Sequence, residues 1–378
     1  MKNFVLAPDS FKGTMSSREV CAIMESSLRS RFPGAHIVSV PVADGGEGSV
    51  DCLLSAAGGT RRTVAARGPY GEELDAFYGV LPDGTAVVEA AACAGLPLAG
   101  SRLRPDLATT YGVGQLIAHA ARSGCRKILV ALGGSCTNDA GAGAAAAAGV
   151  RFLDGDGRPF VPAGGTLARV EHIDLSGLDP AVRNAEITVL CDIDNPFCGE
   201  NGAAFVFAPQ KGADDAMVRR LDAGLAHLAG VLRRELGADV EQLPGAGAAG
   251  GMGGGMAAFF GAGLRRGIEA VLDAVGFEKL ARNADLVFTG EGRLDAQSLR
   301  GKVVAGVARR AKALGVPAVA VVGDIGEGVE ALYEEGLAGI FSINRTAVEF
   351  ARARTRCRED LALTMDNLAR FLTALRFE

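Results

Sequence analysis

Short apolar runs that end in glycine and polar residues, each followed by a stretch of helical period, set the organisation of this chain. Near the amino end, residues 4–7 (Phe-Val-Leu-Ala) predict a buried strand. A helix over 17–32 follows, opened by the capping box Ser16-Ser17-Arg18-Glu19. Residues 37–42 predict a second strand and 49–57 a second helix. The carboxyl end repeats the pattern, with a strand at 286–289, a helix over 301–314, a strand at 317–322 and further helix beyond. Strands alternating with helices imply a parallel sheet. The middle reads differently. Residues 60–91 alternate as a β-meander with a turn at Pro82-Asp83-Gly84, and 154–157 (Asp-Gly-Asp-Gly) form another sharp turn. Apolar strands are predicted at 128–132 and 187–190. Met217, Val218, Leu221, Leu225, Leu228 and Leu232 recur at helical spacing through 214–236. The predicted fold class is α/β: a parallel-sheet domain built from both chain ends, residues 1–59 and 282–378, with a second α/β domain inserted at 60–281.

Composition narrows the function. At 378 residues the chain is long for one domain, and 48% hydrophobic residues supply sizeable cores. A net charge of −5 gives no basic footprint for nucleic acid. The one basic cluster, Arg352, Arg354, Arg356 and Arg358, is placed just before a carboxyl-terminal helix and reads as solvated surface. The eight cysteines form no CxxC pair and the four histidines are far apart, which disfavours a zinc site. Dispersed cysteines suit a reducing cytosol. Asp9 interrupts the opening apolar run, so no signal peptide is expected, and no apolar stretch approaches the ~20 residues that span a bilayer.

The candidate chemistry lies at the strand ends. After the run 128–132 come Gly133-Gly134, then Ser135, Cys136, Thr137, Asn138 and Asp139, then a tract of alanine and glycine. A strand, a polar turn and a helix start suit a phosphate or a carboxylate, although any α/β crossover also needs a turn. The strand at 4–7 runs into Ser10, Lys12 and Gly13, and the strand at 37–42 into Asp44 and Glu47. The strand at 286–289 runs into Glu291, Arg293 and Asp295. In open α/β sheets ligands sit beyond the carboxyl ends of strands, and four such loops together favour a polar active site.

Asp192 and Asp194 follow the strand at 187–190. Two carboxylates at i and i+2 of an extended chain point the same way, which suits Mg²⁺ and a reacting hydroxyl. Arg293 is assigned to a substrate carboxylate, with an ion pair to Asp295 as the competing role. Lysine is scarce, seven of 39 basic residues. Lys12 and Lys302 adjoin glycine beside the strand-end loops, whereas Lys211 reads as an exposed lysine at a turn. Residues 245–250 match GxGxxG but follow no convincing strand, so a dinucleotide site is rejected. The wider run to Gly255 either wraps nucleotide phosphates or serves as an interdomain loop. No Walker A motif is present.

These segments resemble the bacterial glycerate kinases of type I. The likeness rests on APDSFKG (7–13), PVADGGEGS (41–49), ALGGSCTNDAGAG (131–143), CDIDNPFCGENGA (191–203), GAGAAGGMGGG (245–255) and TGEGRLDAQSLRGK (289–302), in order over nearly the whole chain. The resemblance implies a flavodoxin-like domain with an inserted one, and ATP- and Mg²⁺-dependent phosphorylation of D-glycerate to 2-phosphoglycerate in the cytoplasm, with substrates in the cleft between domains. A 3-phosphoglycerate product and a non-catalytic small-acid binding protein are the alternatives. Joined to the residue reading, this makes Asp192 and Asp44 the catalytic candidates, with Asp192 and Asp194 for metal. Ser10, Lys12, Glu47, Arg293 and Lys302 are assigned to substrate. Gly133, Gly134, Ser135, Thr137, Asn138, Gly250, Gly251 and Gly253 are assigned to nucleotide.

Overall fold

In the computed structural model, residues 2–43, 45, 46, 48–296, 298 and 302–374 are described. The chain folds as two compact units, residues 1–44, 55–57 and 267–378, and residues 45–54 and 58–266. Helices Gly267–Ala274 and Phe277–Ala281 belong to the first unit, whereas the sequence boundaries near 59 and 282 assign them to the inserted domain. The segment 45–54 belongs to the second unit.

The first unit holds five parallel strands. Their spatial order is His36–Ser39, Asn3–Pro8, Leu286–Gly290, Ala318–Val322 and Leu337–Ser342. Numbered within the unit this is 2-1-3-4-5, the flavodoxin-like order, whose switch point lies between strands one and three. Those two strands are Asn3–Pro8 and Leu286–Gly290, in register from Phe4↔Leu286 to Pro8↔Gly290. Their carboxyl ends therefore bring the loops after residues 8 and 290 side by side. Helix Ser17–Arg31 starts at the expected capping box, with the Ser16 and Glu19 side chains and backbones paired reciprocally. Ser17 ties this start to the sheet, donating from Oγ to the Pro8 carbonyl at 2.6 Å and accepting from Val42 N at 3.1 Å. The core of one face joins Phe4, Leu6 and Phe288 to Met24 and Leu28 of that helix, and to Leu361 and Met365 of helix Phe350–Ala374. The four arginines at 352–358 lie inside this last helix rather than before it. Arg358 pairs with Glu19 at 2.8 Å and Arg356 with Asp360 at 3.2 Å. The predicted helix start at Gly301 lies outside the described residues; the helix is described over Val303–Ala313.

The second unit is built on six strands in the order Gly263–Arg265, Glu186–Leu190, Lys127–Ala131, Ala86–Glu89, Glu73–Val80 and Thr60–Arg67. The first four are parallel and the last two antiparallel, the expected meander now forming one edge. Helix Asp215–Leu236 begins where Asp214 accepts from Met217 N at 2.8 Å, and ends at the left-handed Gly237. Its Leu221, Leu225, Leu228 and Leu232 are buried, as their spacing predicts.

The glycine run at 245–255 is more ordered than a linker. Residues 248–260 form a helix interrupted by three consecutive left-handed residues, Ala249, Gly250 and Gly251, at φ 52°, 70° and 89°. None of the eight cysteines is bridged, and no described helix is long and apolar enough to cross a membrane.

Candidate active site

Two neighbouring parallel strands of the second unit, Lys127–Ala131 and Glu186–Leu190, end in register at Ala131↔Leu190. The polar turn 133–139 and the segment 191–196 therefore leave adjacent strand ends, where ligands of α/β sheets sit. Within the turn, Gly133 is half-exposed and Gly134 exposed, while Ser135, Thr137 and Asn138 are buried. Gly134 has φ +79°, which glycine adopts without strain.

The turn owes its shape to Asp139, which the sequence reading passed over. Asp139 is fully buried. Its carboxylate accepts from Thr110 N at 2.8 Å, Thr110 Oγ1 at 2.9 Å, and Gly141 N and Gly143 N at 3.2 Å. Burial pushes its pKa up, against the pull of these donors. Gly141 and Gly143 open the six-residue helix Ala142–Ala147. The acidic group at that helix start is therefore the protein's own, with Asp139 taking the amides that the strand-turn-helix order offers to an anion. An acid just before an alanine tract was the available signal.

The glycine run packs onto this turn. Ala140 N donates to the Gly250 carbonyl at 3.0 Å. A Cβ at Gly250 would collide with the Thr137 carbonyl oxygen, and one at Gly253 with the Gly245 carbonyl oxygen. At Gly251 it would lie 2.9 Å from Leu225 and 3.1 Å from the Phe197 ring. All three glycines are buried, and protein atoms fill the space a side chain would need. Ala140 and Ala249 are the two non-glycine residues with left-handed backbone among those described, at φ 55° and 52°. Both lie at this junction, and such strain clusters at functional sites.

The same run also touches the 191–196 segment. Gly247 N donates to the Asn195 carbonyl at 3.0 Å, and Cys191 Sγ to the Gly245 carbonyl at 3.7 Å. Burial raises the Cys191 thiol to about 11, so it is not a thiolate nucleophile. Asp192 is half-buried and Asp194 exposed, so the two carboxylates occupy different surroundings despite their i, i+2 spacing. Among the described residues no group of three or more His, Cys, Asp or Glu could hold a metal ion.

Lys211 overturns its sequence reading. Expected at an exposed turn, it is 2% exposed. Its ammonium donates to the Thr137 carbonyl at 2.6 Å and to Ser135 Oγ at 3.1 Å. Burial pulls its pKa down to about 8, opposed by the nearby Cys136 and Asp139. Beside it, Thr137 Oγ1 and both amide atoms of Asn138 are buried and have no partner among the described residues.

The loops around position 46 also reach this turn. Gly133 N donates to the Gly45 carbonyl at 3.4 Å, and a Cβ at Gly133 would lie 2.5 Å from the Gly46 backbone. Buried Glu89 accepts from Val50 N at 2.6 Å, holding the start of helix Ser49–Ala57. Asp44 and Glu47 themselves lie outside the described residues.

In the first unit, Ser10, Lys12, Arg293 and Lys302 sit at or near the sheet's carboxyl ends. Asp9 N donates to the Gly290 carbonyl at 2.8 Å, and a Cβ at Gly292 would lie 3.2 Å from Lys12 N. The Lys12 and Arg293 loops are therefore in backbone contact. Ser10 N donates to Asp9 Oδ1 at 2.6 Å. Arg293 is exposed, 3.8 Å from both Asp295 and Asp324. Lys302 is half-buried at the N-cap position of helix Val303–Ala313.

The family model described as the Glycerate kinase family matches residues 4–373. A glycerate 2-kinase of Escherichia coli K12 is 45% identical over 341 residues, 90% of each chain. A glycerate kinase of Halalkalibacterium halodurans is 45% identical over 345 residues, 91% of each. The crystal structure of a candidate glycerate kinase 2 from Salmonella typhimurium LT2 superposes with TM-score 0.87 at 40% identity, covering 99% of this chain and 98% of that one. With a family match spanning nearly its whole length and relatives this similar over nine-tenths of theirs, the chain belongs to the glycerate kinase family.

Proposed function

We infer that this chain transfers the γ-phosphoryl group of ATP to the 2-hydroxyl of D-glycerate, giving 2-phosphoglycerate and ADP. The observation that carries this is the buried polar group at the turn 133–139. It combines a lysine ammonium with unpartnered Thr137 and Asn138 side chains, next to a strand end that bears two aspartates. Leaving a buried polar atom unsatisfied costs about 1–3 kcal/mol. A fold that retains three of them together is built to meet a polar ligand there, and triphosphate oxygens fit.

Mg²⁺ would be held by Asp192 and Asp194. The ion usually binds through one or two carboxylates plus substrate phosphates, and these two acids would supply the protein's share. When bound it would offset charge on the transferring phosphate. The half-buried Asp192 carboxylate orients the glycerate hydroxyl and takes its proton as the oxygen–phosphorus bond forms, with Asp44 as a second acidic candidate. Gly133 and Gly134 present the accessible face of the turn to nucleotide, with the buried Ser135, Thr137 and Asn138 behind them. Gly250, Gly251 and Gly253 support that turn from the other side. Arg293 and Lys12 bind the substrate carboxylate, with Ser10, Glu47 and Lys302 completing the substrate loops. A bidentate guanidinium–carboxylate contact orients as well as attracts. The proposed compartment is the cytosol, where ATP is available and free thiols stay reduced.

Incubation with ATP, Mg²⁺ and D-glycerate, followed by phosphorus NMR, tests the assignment. ADP with 2-phosphoglycerate is expected. Exclusive 3-phosphoglycerate would refute the regiochemistry, and no ADP would refute the kinase reading.

A further inference from the structure

We propose that Lys211 is a positioning residue for the nucleotide: its ammonium sets the 133–139 turn through Ser135 and Thr137 and directs one further N–H toward the phosphates. This rests on the kinase reading and adds a residue to it.

Four observations converge. An ammonium has three donors, and Lys211 uses one on the Thr137 carbonyl and one on Ser135 Oγ. The third has no acceptor among the described residues. Second, the backbone beside Lys211 is constrained. Lys211 ends the short 3₁₀ helix Pro209–Lys211, and Gly212 follows at φ +95° with its Cβ direction blocked 2.5 Å away by Leu103. Third, neither acidic group nearby pairs with the ammonium directly, although Asp139 favours its charged form from a distance. Cys136 is held as a thiol by burial, its pKa about 11, and Asp139 already has four donors within 3.2 Å. Fourth, Thr137 Oγ1 and the Asn138 amide, the next polar atoms of the same turn, are buried and unpartnered. A buried cation with a spare donor among unsatisfied polar atoms is costly unless an anion completes it. Lysine suits that task as a compact point charge.

The arrangement makes a specific statement about protons. With its pKa near 8, about half of Lys211 is neutral in the free protein at that pH and most of it above. A triphosphate beside it favours the charged form, so binding at alkaline pH draws a proton onto Nζ.

Calorimetry of ATP binding at pH 8.5, in two buffers of different ionisation enthalpy, tests this with the full chain. Wild-type protein should take up about half a proton or more per ATP. Lys211→Met should take up none and bind ATP tenfold or more weakly, with glycerate affinity within twofold. Lys211→Arg should recover affinity in part, still without proton uptake. If Lys211→Met does not fold, Ser135→Ala carries the test. It removes an acceptor of the ammonium and should shift the uptake profile to lower pH. Equal ATP affinity in Lys211→Met, no proton uptake in the wild type, or an unshifted profile in Ser135→Ala overturns the proposal and leaves the kinase reading standing. A wild-type protein that forms no ADP from ATP and glycerate overturns both.

Discussion

Ala140 donates its backbone N–H to the carbonyl of Gly250 at 3.0 Å, joining the 133–139 turn to the glycine run across 110 positions of sequence. Gly250 lies at φ 70° and Ala140 at φ 55°, so left-handed backbone meets left-handed backbone. The glycine at 250 is required by protein packing, since a Cβ there would strike the Thr137 carbonyl. Gly250→Val should therefore destabilise the fold by about 3 kcal/mol or more, adding backbone strain to overpacking. Thermal melts should show a large fall in Tm, with ATP and glycerate binding lost together. A wild-type Tm with selective loss of ATP affinity would instead make Gly250 a direct phosphate contact.

Much of the fold was legible in the sequence because period and punctuation agree. The capping box at Ser16–Glu19, the strand–helix alternation of both ends, and the leucines of Asp215–Leu236 each carry their own local signal. The roles of Lys211, Asp139 and the glycines were not legible, for a common reason. Whether a lysine at a Gln-Lys-Gly turn is exposed depends on Ser135 and Thr137, more than seventy residues away. Whether a glycine faces a ligand or a carbonyl depends on which loop packs against it. Local pattern shows that a glycine is needed and leaves open what occupies the space.

Lys211 also gives a stability prediction whose sign is fixed by linkage. Its folded pKa, about 8, lies below the ordinary 10.5. Between those values the unfolded chain holds a proton that the folded lysine has lost, so unfolding free energy rises with pH across the window. Below pH 8 the full cost of the buried charge is present, about 3 kcal/mol at this gap. The Tm of wild type minus that of Lys211→Met should thus increase from pH 7 to pH 9.5. A difference that is flat or falling over that range would contradict a depressed, buried ammonium.

Asp192 and Asp194 should separate in their effects. Asp192 is half-buried and is assigned both to metal and to the reacting hydroxyl, whereas Asp194 is exposed. Asp192→Asn should lower kcat about 10²–10⁴-fold, the usual range for loss of a general base, with a melting curve near wild type. Asp194→Asn should mainly raise the Mg²⁺ concentration needed for half-maximal rate. Turnover near wild type in folded Asp192→Asn would remove that residue from the chemistry.

Arg293 is the candidate for recognising the substrate's carboxylate. Its two ion-pair partners, Asp295 and Asp324, each lie 3.8 Å away, and its side chain is 65% exposed. Exposed pairs at that range contribute about 0–1 kcal/mol, so they hold the guanidinium without satisfying it. A carboxylate able to take two parallel N–H donors can outcompete them. Arg293→Ala should then raise KM for glycerate about 10- to 100-fold, the equivalent of about 1.5–3 kcal/mol for a hydrogen bond to a charged group. KM for ATP should change less than threefold. Arg293→Lys retains the charge and loses the fork, so it should recover only part of the glycerate affinity. Steady-state kinetics with each substrate varied in turn decides the matter: an unchanged glycerate KM in Arg293→Ala would assign the arginine to the Asp295 and Asp324 pairs alone.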